Sequence, residues 1–178
     1  MVIGIDISQI AYGNTGVANY LSNFVREMVK SDEHEFILFF SSLRRNLPSE
    51  FENEINKSNV RIKKFKFPSA ILDLLWNKLH VIPIGSLIGN VDVFITSDWS
   101  EPPSRAKKAT IIYDLIVYKH PEETDQKIVS VQKRKLDWVK KESDIVFCIS
   151  ESTKKDAVEI LGIDESKIRV IYPGISTV

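Results

Sequence analysis

Seven short runs rich in β-branched and aromatic residues recur along the chain, separated by helical patterns or turn-rich loops. They are "VIGIDI" (2–7), "EFILFF" (35–40), "VRIKKFK" (60–66), "VDVFIT" (91–96), "ATIIYD" (109–114), "DIVFCIS" (144–150) and "KIRVIY" (167–172). Several are apolar on both faces, as suits strands of a parallel sheet covered on each side. Only 60–66 alternates strongly, with Lys and Arg on one face, so it is expected at a sheet edge. Residues 16–30 put Val17, Leu21, Phe24, Val25 and Met28 on one helical stripe. Residues 124–142 are expected to turn Ile128, Val131, Trp138 and Val139 inward and a Lys-rich face outward. A helix over 151–161 is bounded by Ser150 as N-cap and Gly162 as C-cap. The segments 43–56 and 69–90 read as irregular helices. Strand–helix alternation with parallel pairing predicts an α/β fold: a doubly wound, Rossmann-like, mostly parallel sheet of about seven strands with helices on both faces.

Bulk properties narrow the function classes. With 178 residues the chain fits one domain with its own core. Lys+Arg 24 and Asp+Glu 24 cancel, so no overall field favours nucleic acid. The single cysteine, Cys148, lies in an apolar strand and reads as a buried thiol, consistent with a reducing cytoplasm. "MVIGIDIS" lacks the basic and apolar regions of a signal peptide. The longest apolar stretch, 70–89, carries Asp73, Lys78, His80 and Pro83, which disqualify it as a membrane span. Two basic stretches, 61–67 and 133–141, suit either solvated faces or peripheral contact with an anionic lipid surface.

Open parallel sheets bind ligands outside the C-terminal ends of their strands, which confines the search to loops 8–16, 97–108, 114–123 and 150–153. In the first, Thr15 is placed to cap a helix beginning near Gly16, whose exposed amides would favour an anion such as a diphosphate. A dinucleotide fingerprint fits poorly. The glycines Gly13 and Gly16 are three apart, and the second strand runs into "FFSSLRRN", without a carboxylate for a ribose hydroxyl. Arg44 or Arg45 leaves a phosphorylated nicotinamide as an alternative. In the second loop, Asp98, Trp99 and Glu101 have the chemistry of a sugar site: an indole face for pyranose C–H groups and carboxylates for hydroxyls. Trp99 serves equally as a lid over Pro102 and Pro103. His34, His80 and His120 are scattered, and no metal-ligand spacing stands out.

Three stretches in register carry a family resemblance. "GNTGVANYLSNFVREM" (13–28) resembles the glycine loop and first helix of retaining glycosyltransferases of family 4, the "group 1" enzymes of GT-B fold. "PPSRAKKATIIYDLIVYKHPEE" (102–123) is similar to their acceptor-domain stretch, and "VFCISESTKKDAVEILGIDESKIRVIYPGIS" (146–176) to their strand, Ser-Glu, helix and Tyr-Pro-Gly segment. The resemblance implies two Rossmann-like domains across a cleft. Residues 1–174 would be the N-terminal, acceptor-side domain, and 175–178 the start of the crossover to a C-terminal donor-binding domain. This half alone is expected to be inactive.

The resemblance further implies a nucleotide-diphosphate sugar as co-substrate, with no other cofactor and no metal. The acceptor would be a saccharide or lipid-linked saccharide, mannosyl transfer being the most frequent pattern. Localisation would be cytoplasmic, including the inner face of the membrane. Backbone amides at Thr15 and Gly16 would approach the donor diphosphate. Tyr113 stands where many members carry a histidine, and keeps a hydroxyl while losing an imidazolium. Asp114 would orient an acceptor hydroxyl or take its proton, although it could equally cap the following turn. Glu151 joins Asp98, Trp99 and Glu101 as an acceptor-side candidate. A non-catalytic carbohydrate- or partner-binding module of the same fold is the alternative.

Overall fold

The computed structural model describes residues 1–97 and 99–174. All seven predicted strands form: β1 (Val2–Asp6), β2 (Glu35–Ser41), β3 (Val60–Phe65), β4 (Val93–Thr96), β5 (Lys107–Ile112), β6 (Ile145–Cys148) and β7 (Ile168–Val170). They make one sheet in the order β3-β2-β1-β4-β5-β6-β7, every pair parallel. The basic strand β3 lies at an edge, where its Lys and Arg side chains reach water. The order reverses between β1 and β4, the switch point at which such sheets open a crevice.

One face is covered by α1 (Gly16–Met28) and α2 (Ser49–Glu54). Their Leu21, Val25 and Phe51 close over Ile3, Ile5, Leu38, Ile95 and Ile111. On the other face α6 (Gln126–Glu142) and α7 (Glu151–Glu159) bury Ile112, Val146 and Cys148. Beside them the crossover from β3 to β4 packs Leu72, Trp76, Ile84 and Ile88 on Phe39 and Phe94. Ser150 caps α7 by accepting the Thr153 amide at 3.0 Å, and Gly162 ends it with a φ of 66°, as its composition predicts.

Two expectations need correction. The 69–90 segment has the irregular helical character expected of it: α3 (Ser69–Leu72) runs into a π-helical turn Asp73–Lys78, and α4 (Gly85–Ile88) follows Pro83. Of 43–56, only Ser49–Glu54 is helical, Pro48 opening the segment. On α6 the inward stripe is rotated from the expected one. Val129, Leu136 and Val139 are buried while Ile128 is 38% exposed, and Lys135 points into the protein at 2% exposure. The stripe followed apolar side chains; it could not anticipate an ammonium whose partners lie on other strands.

Candidate active site

The glycine loop leaves β1 through a 3-10 turn, Ser8–Tyr12, and enters α1 at Gly16. Thr15 is the N-cap: its hydroxyl accepts the Ala18 amide at 3.1 Å. The residue in the left-handed region is Asn14, with φ 69°, a conformation asparagine tolerates, and neither Gly13 nor Gly16 adopts it. A methyl group at Gly13 or Gly16 would meet nothing within 4 Å. The fold itself therefore makes no demand for glycine here, and the open space beside the N-terminus of α1 is available to a ligand.

β5 ends at Ile112, so Tyr113 and Asp114 stand just beyond its C-terminal end. The Tyr113 carbonyl accepts the Thr153 hydroxyl of α7 at 3.1 Å, and its ring meets Tyr20 of α1 edge-on at 5.6 Å. Tyr20 donates to the Ile171 carbonyl at 3.0 Å, tying α1 to the exit of β7, and burial raises its phenol to about 12. Asp114 is exposed, and its Oδ1 accepts the Ile116 amide at 3.0 Å, so the turn-capping role is realised with one carboxylate oxygen. Together these elements line a trough of about 1730 Å³. Its lining includes Gly13, Asn14 and Gly16 of the glycine loop, Tyr20, Tyr113 and Asp114, Tyr172, Pro173 and Gly174, and the apolar Phe147, Ile149 and Ile171, and it extends along α1 to Met28, Ser31 and His34.

The loop after β4 goes elsewhere. Asp98 lies outside the described residues, as do 175–178. Trp99 is half-buried and does not line the trough; its carbonyl accepts the Asn77 amide at 2.9 Å. Glu101 is wholly buried, which removes it from an acceptor-facing surface. Its Oε2 accepts the Thr96 hydroxyl at 2.6 Å and its Oε1 lies 3.0 Å from the Lys108 ammonium. Lys108 continues to Glu142 at 2.8 Å, and Glu142 to His80 at 2.9 Å. Burial alone would raise the Glu142 carboxyl, but Lys108 and His80 pull it below its usual value. Lys135 donates to the Ser97 carbonyl at 2.7 Å and to Thr110 at 3.1 Å. The loop is thus clamped onto the sheet by buried charges. Position alone suggested a cleft; the pairing of Glu101 with a lysine seven residues later was not legible as a contact.

Glu151, at the first position of α7, is exposed, and Tyr172 reaches it at 3.5 Å, so it stands at the rim beyond the trough wall. Cys148 is buried, and burial pushes its thiol up to about 12, as its strand setting implied. Arg45 stacks over the Tyr12 ring at 4.7 Å. Among the described residues, His120, Glu122 and Glu123 are grouped closely enough to hold a cation, on an exposed turn. Tyr20, Asn14 and Tyr172 are trough residues that sequence reading did not single out. Tyr20 was discoverable, being one helical turn after Gly16, but Tyr172 joins only through the sheet order.

An open, all-parallel sheet with helices on both faces and a capped helix N-terminus at its switch point defines a Rossmann-like α/β domain. The chain belongs to glycosyltransferase family 4, whose family model matches residues 14–178. In fold it is similar to the solved UDP-GlcNAc 2-epimerase of Methanocaldococcus jannaschii, with a TM-score of 0.54 and 14% identity over 96% of this chain. It spans 45% of that protein's length. No curated protein sequence matches.

Proposed function

We propose that this chain is the acceptor-side half of a retaining glycosyltransferase that moves a hexosyl group, mannose foremost, from a nucleotide-diphosphate sugar to a saccharide or lipid-linked saccharide in the cytoplasm. The observation that carries this reading is the glycine loop: Gly13 and Gly16 border open space at a capped helix N-terminus and line the same trough as Tyr113 and Asp114. In the reaction the bond from the sugar to the diphosphate oxygen breaks and one to an acceptor hydroxyl forms. The diphosphate carries away the electron pair, and the hydroxyl proton must leave. Amides at Thr15 and Gly16 would stabilise the growing negative charge. Tyr113 would hydrogen-bond the donor sugar. Asp114, fixed by the Ile116 amide, would orient the acceptor hydroxyl, with Glu151 at the rim.

A donor-binding domain would close the trough from the other side. The partly buried Phe147, Ile149 and Ile171 give it an apolar ledge adjoining the site. The test is sugar transfer measured with a panel of nucleotide-diphosphate sugars, on this chain alone and on a protein that carries a second α/β domain after it. Transfer only in the longer protein is expected. Transfer at an ordinary enzymatic rate by residues 1–178 alone would refute the half-enzyme reading.

A further inference from the structure

The loops that leave β1, β2 and β3 read "SQIAYGNT" (8–15), "SLRRNLP" (42–48) and "KFPSAIL" (66–72). Between them they hold Arg44, Arg45 and Lys66 and no Asp or Glu, in a chain whose charges otherwise cancel. The fold sets these loops side by side, because β3, β2 and β1 are neighbours, run parallel and so release their loops at the same end of the sheet. They are also bonded to one another. The Ser41 amide donates to the Ser8 hydroxyl at 3.0 Å, and the Ser42 amide to the Phe65 carbonyl at 3.2 Å. The Arg45 amide donates to the Ser42 hydroxyl at 3.0 Å, closing a turn, and the Arg45 guanidinium lies 4.7 Å over the Tyr12 ring.

The acids closest in sequence are engaged elsewhere. Asp6 is buried, and its Oδ1 accepts the Ser8 amide at 2.9 Å. Glu52 pairs with Lys64 at 2.6 Å and Asp73 with Arg134 at 2.7 Å, while exposed Glu50 lines the trough. Other arginines of the chain are held by oxygens: Arg26 by Glu54 at 2.6 Å, Arg61 by Glu35 at 3.2 Å and Arg169 by the Ser166 carbonyl at 2.7 Å. Among the described residues, Arg44 and Arg45 have no such partner. Arg105 has none either, but it precedes β5, at the opposite end of the sheet. A guanidinium stacked on a ring gives its face to the π system and keeps its N–H donors in plane. Those donors match the oxygens of a carboxylate or phosphate two at a time. Stacking restricts the side chain beforehand, so less freedom is lost when an anion arrives. Tyr12 directly precedes Gly13, which lines the trough, so the stacked pair stands about one residue, ~3.8 Å along the chain, from that lining.

We propose that Arg45 on its Tyr12 platform, with Arg44 beside it, is an anion subsite at the edge of the trough that recognises a phosphate or carboxylate carried by the acceptor saccharide itself. An uncharged sugar gains nothing from it. The subsite rests on the transferase reading only in calling its ligand an acceptor; the anion contact is tested without donor or transfer, so failure of either is seen separately.

The experiment follows amide chemical shifts of the full chain as glucose, glucuronate and glucose 6-phosphate are titrated. Shifts at residues 12–14 and 44–46 with the two anionic sugars, absent with glucose and reduced by salt, are expected. Tighter binding of glucose 6-phosphate would mark the group as a phosphate, and tighter binding of glucuronate as a carboxylate. R45Q should weaken the anionic sugar about tenfold, and R45K, which keeps the charge but not the fork, should recover only part of that loss. Both should melt as the parent does, since Arg45 is exposed. R61Q, which removes an exposed arginine paired with Glu35, should bind as the parent does. Equal shifts with glucose, or equal losses in R45Q and R61Q, would overturn the proposal. Binding weakened by G16A and indifferent to R45Q would overturn it in favour of the helix amides. Tighter binding of reduced nicotinamide adenine dinucleotide phosphate than of either anionic sugar would overturn it in favour of a cofactor.

Discussion

Gly16→Ala separates what the glycine loop does for the fold from what it does for a ligand. A Cβ at Gly16 would meet no atom within 4 Å, and the residue does not sit in the left-handed region. It is the first residue of α1, after the Thr15 cap, so alanine keeps the native conformation. Alanine should therefore stabilise the domain by roughly 0.4–1 kcal/mol, mainly through a less disordered unfolded chain. For a domain of this size that is an increase of about 1–4 °C in melting temperature. A diphosphate oxygen bound to the loop amides would come within about 3 Å of them, a space the methyl group contests. Losing one hydrogen bond to a charged group costs about 1.5–3 kcal/mol, or roughly 10- to 150-fold in affinity. Denaturant melts of the chain and nucleoside-diphosphate titration of a protein carrying a second α/β domain after it read the two effects separately. If the variant binds the diphosphate as tightly as the parent, the phosphate role fails. If it unfolds more easily, the glycine is structural and the open space has been misread.

Two predictions concern the buried charges. Lys108→Met leaves Glu101 charged at 0% exposure with only hydroxyl partners, which should cost about 3–5 kcal/mol in chemical denaturation. A loss below about 1 kcal/mol would refute the dependence of Glu101 on Lys108. Glu142 is held below its usual value of 4.5, so its contribution is present above that pH and is lost as pH falls through the lower folded value. Glu142→Gln should accordingly be less stable than the parent at neutral pH, with the two converging as pH drops below 4.5; a difference that grew in acid would contradict the pairing with Lys108 and His80.

The strand set was readable because a strand buried on both faces must be apolar at nearly every position, and several of the runs were. The edge position of β3 followed from the same logic, its lysines needing water. Caps were equally local: Thr15, Ser150 and Gly162 act within four residues of themselves, so sequence contains the whole interaction. The candidate site was legible only in part. Gly16, Tyr113 and Asp114 line one trough and Thr15 caps the helix beside it, whereas Glu101, chosen by the same rule, turns inward, and Trp99 is held at its backbone away from that trough. Loop position alone does not fix which way a side chain points.

By itself the sequence determined the α/β class, the strand count and the caps at Thr15, Ser150 and Gly162, because periodicity and capping are local properties of the backbone. Tertiary structure alone decided where charge and apolar surface meet. It buried Lys135 and Glu101 among partners from other strands and joined Tyr20 to Ile171 across 151 residues. These arrangements arise between segments remote along the chain, and sheet order, which no single segment encodes, sets the distances between them.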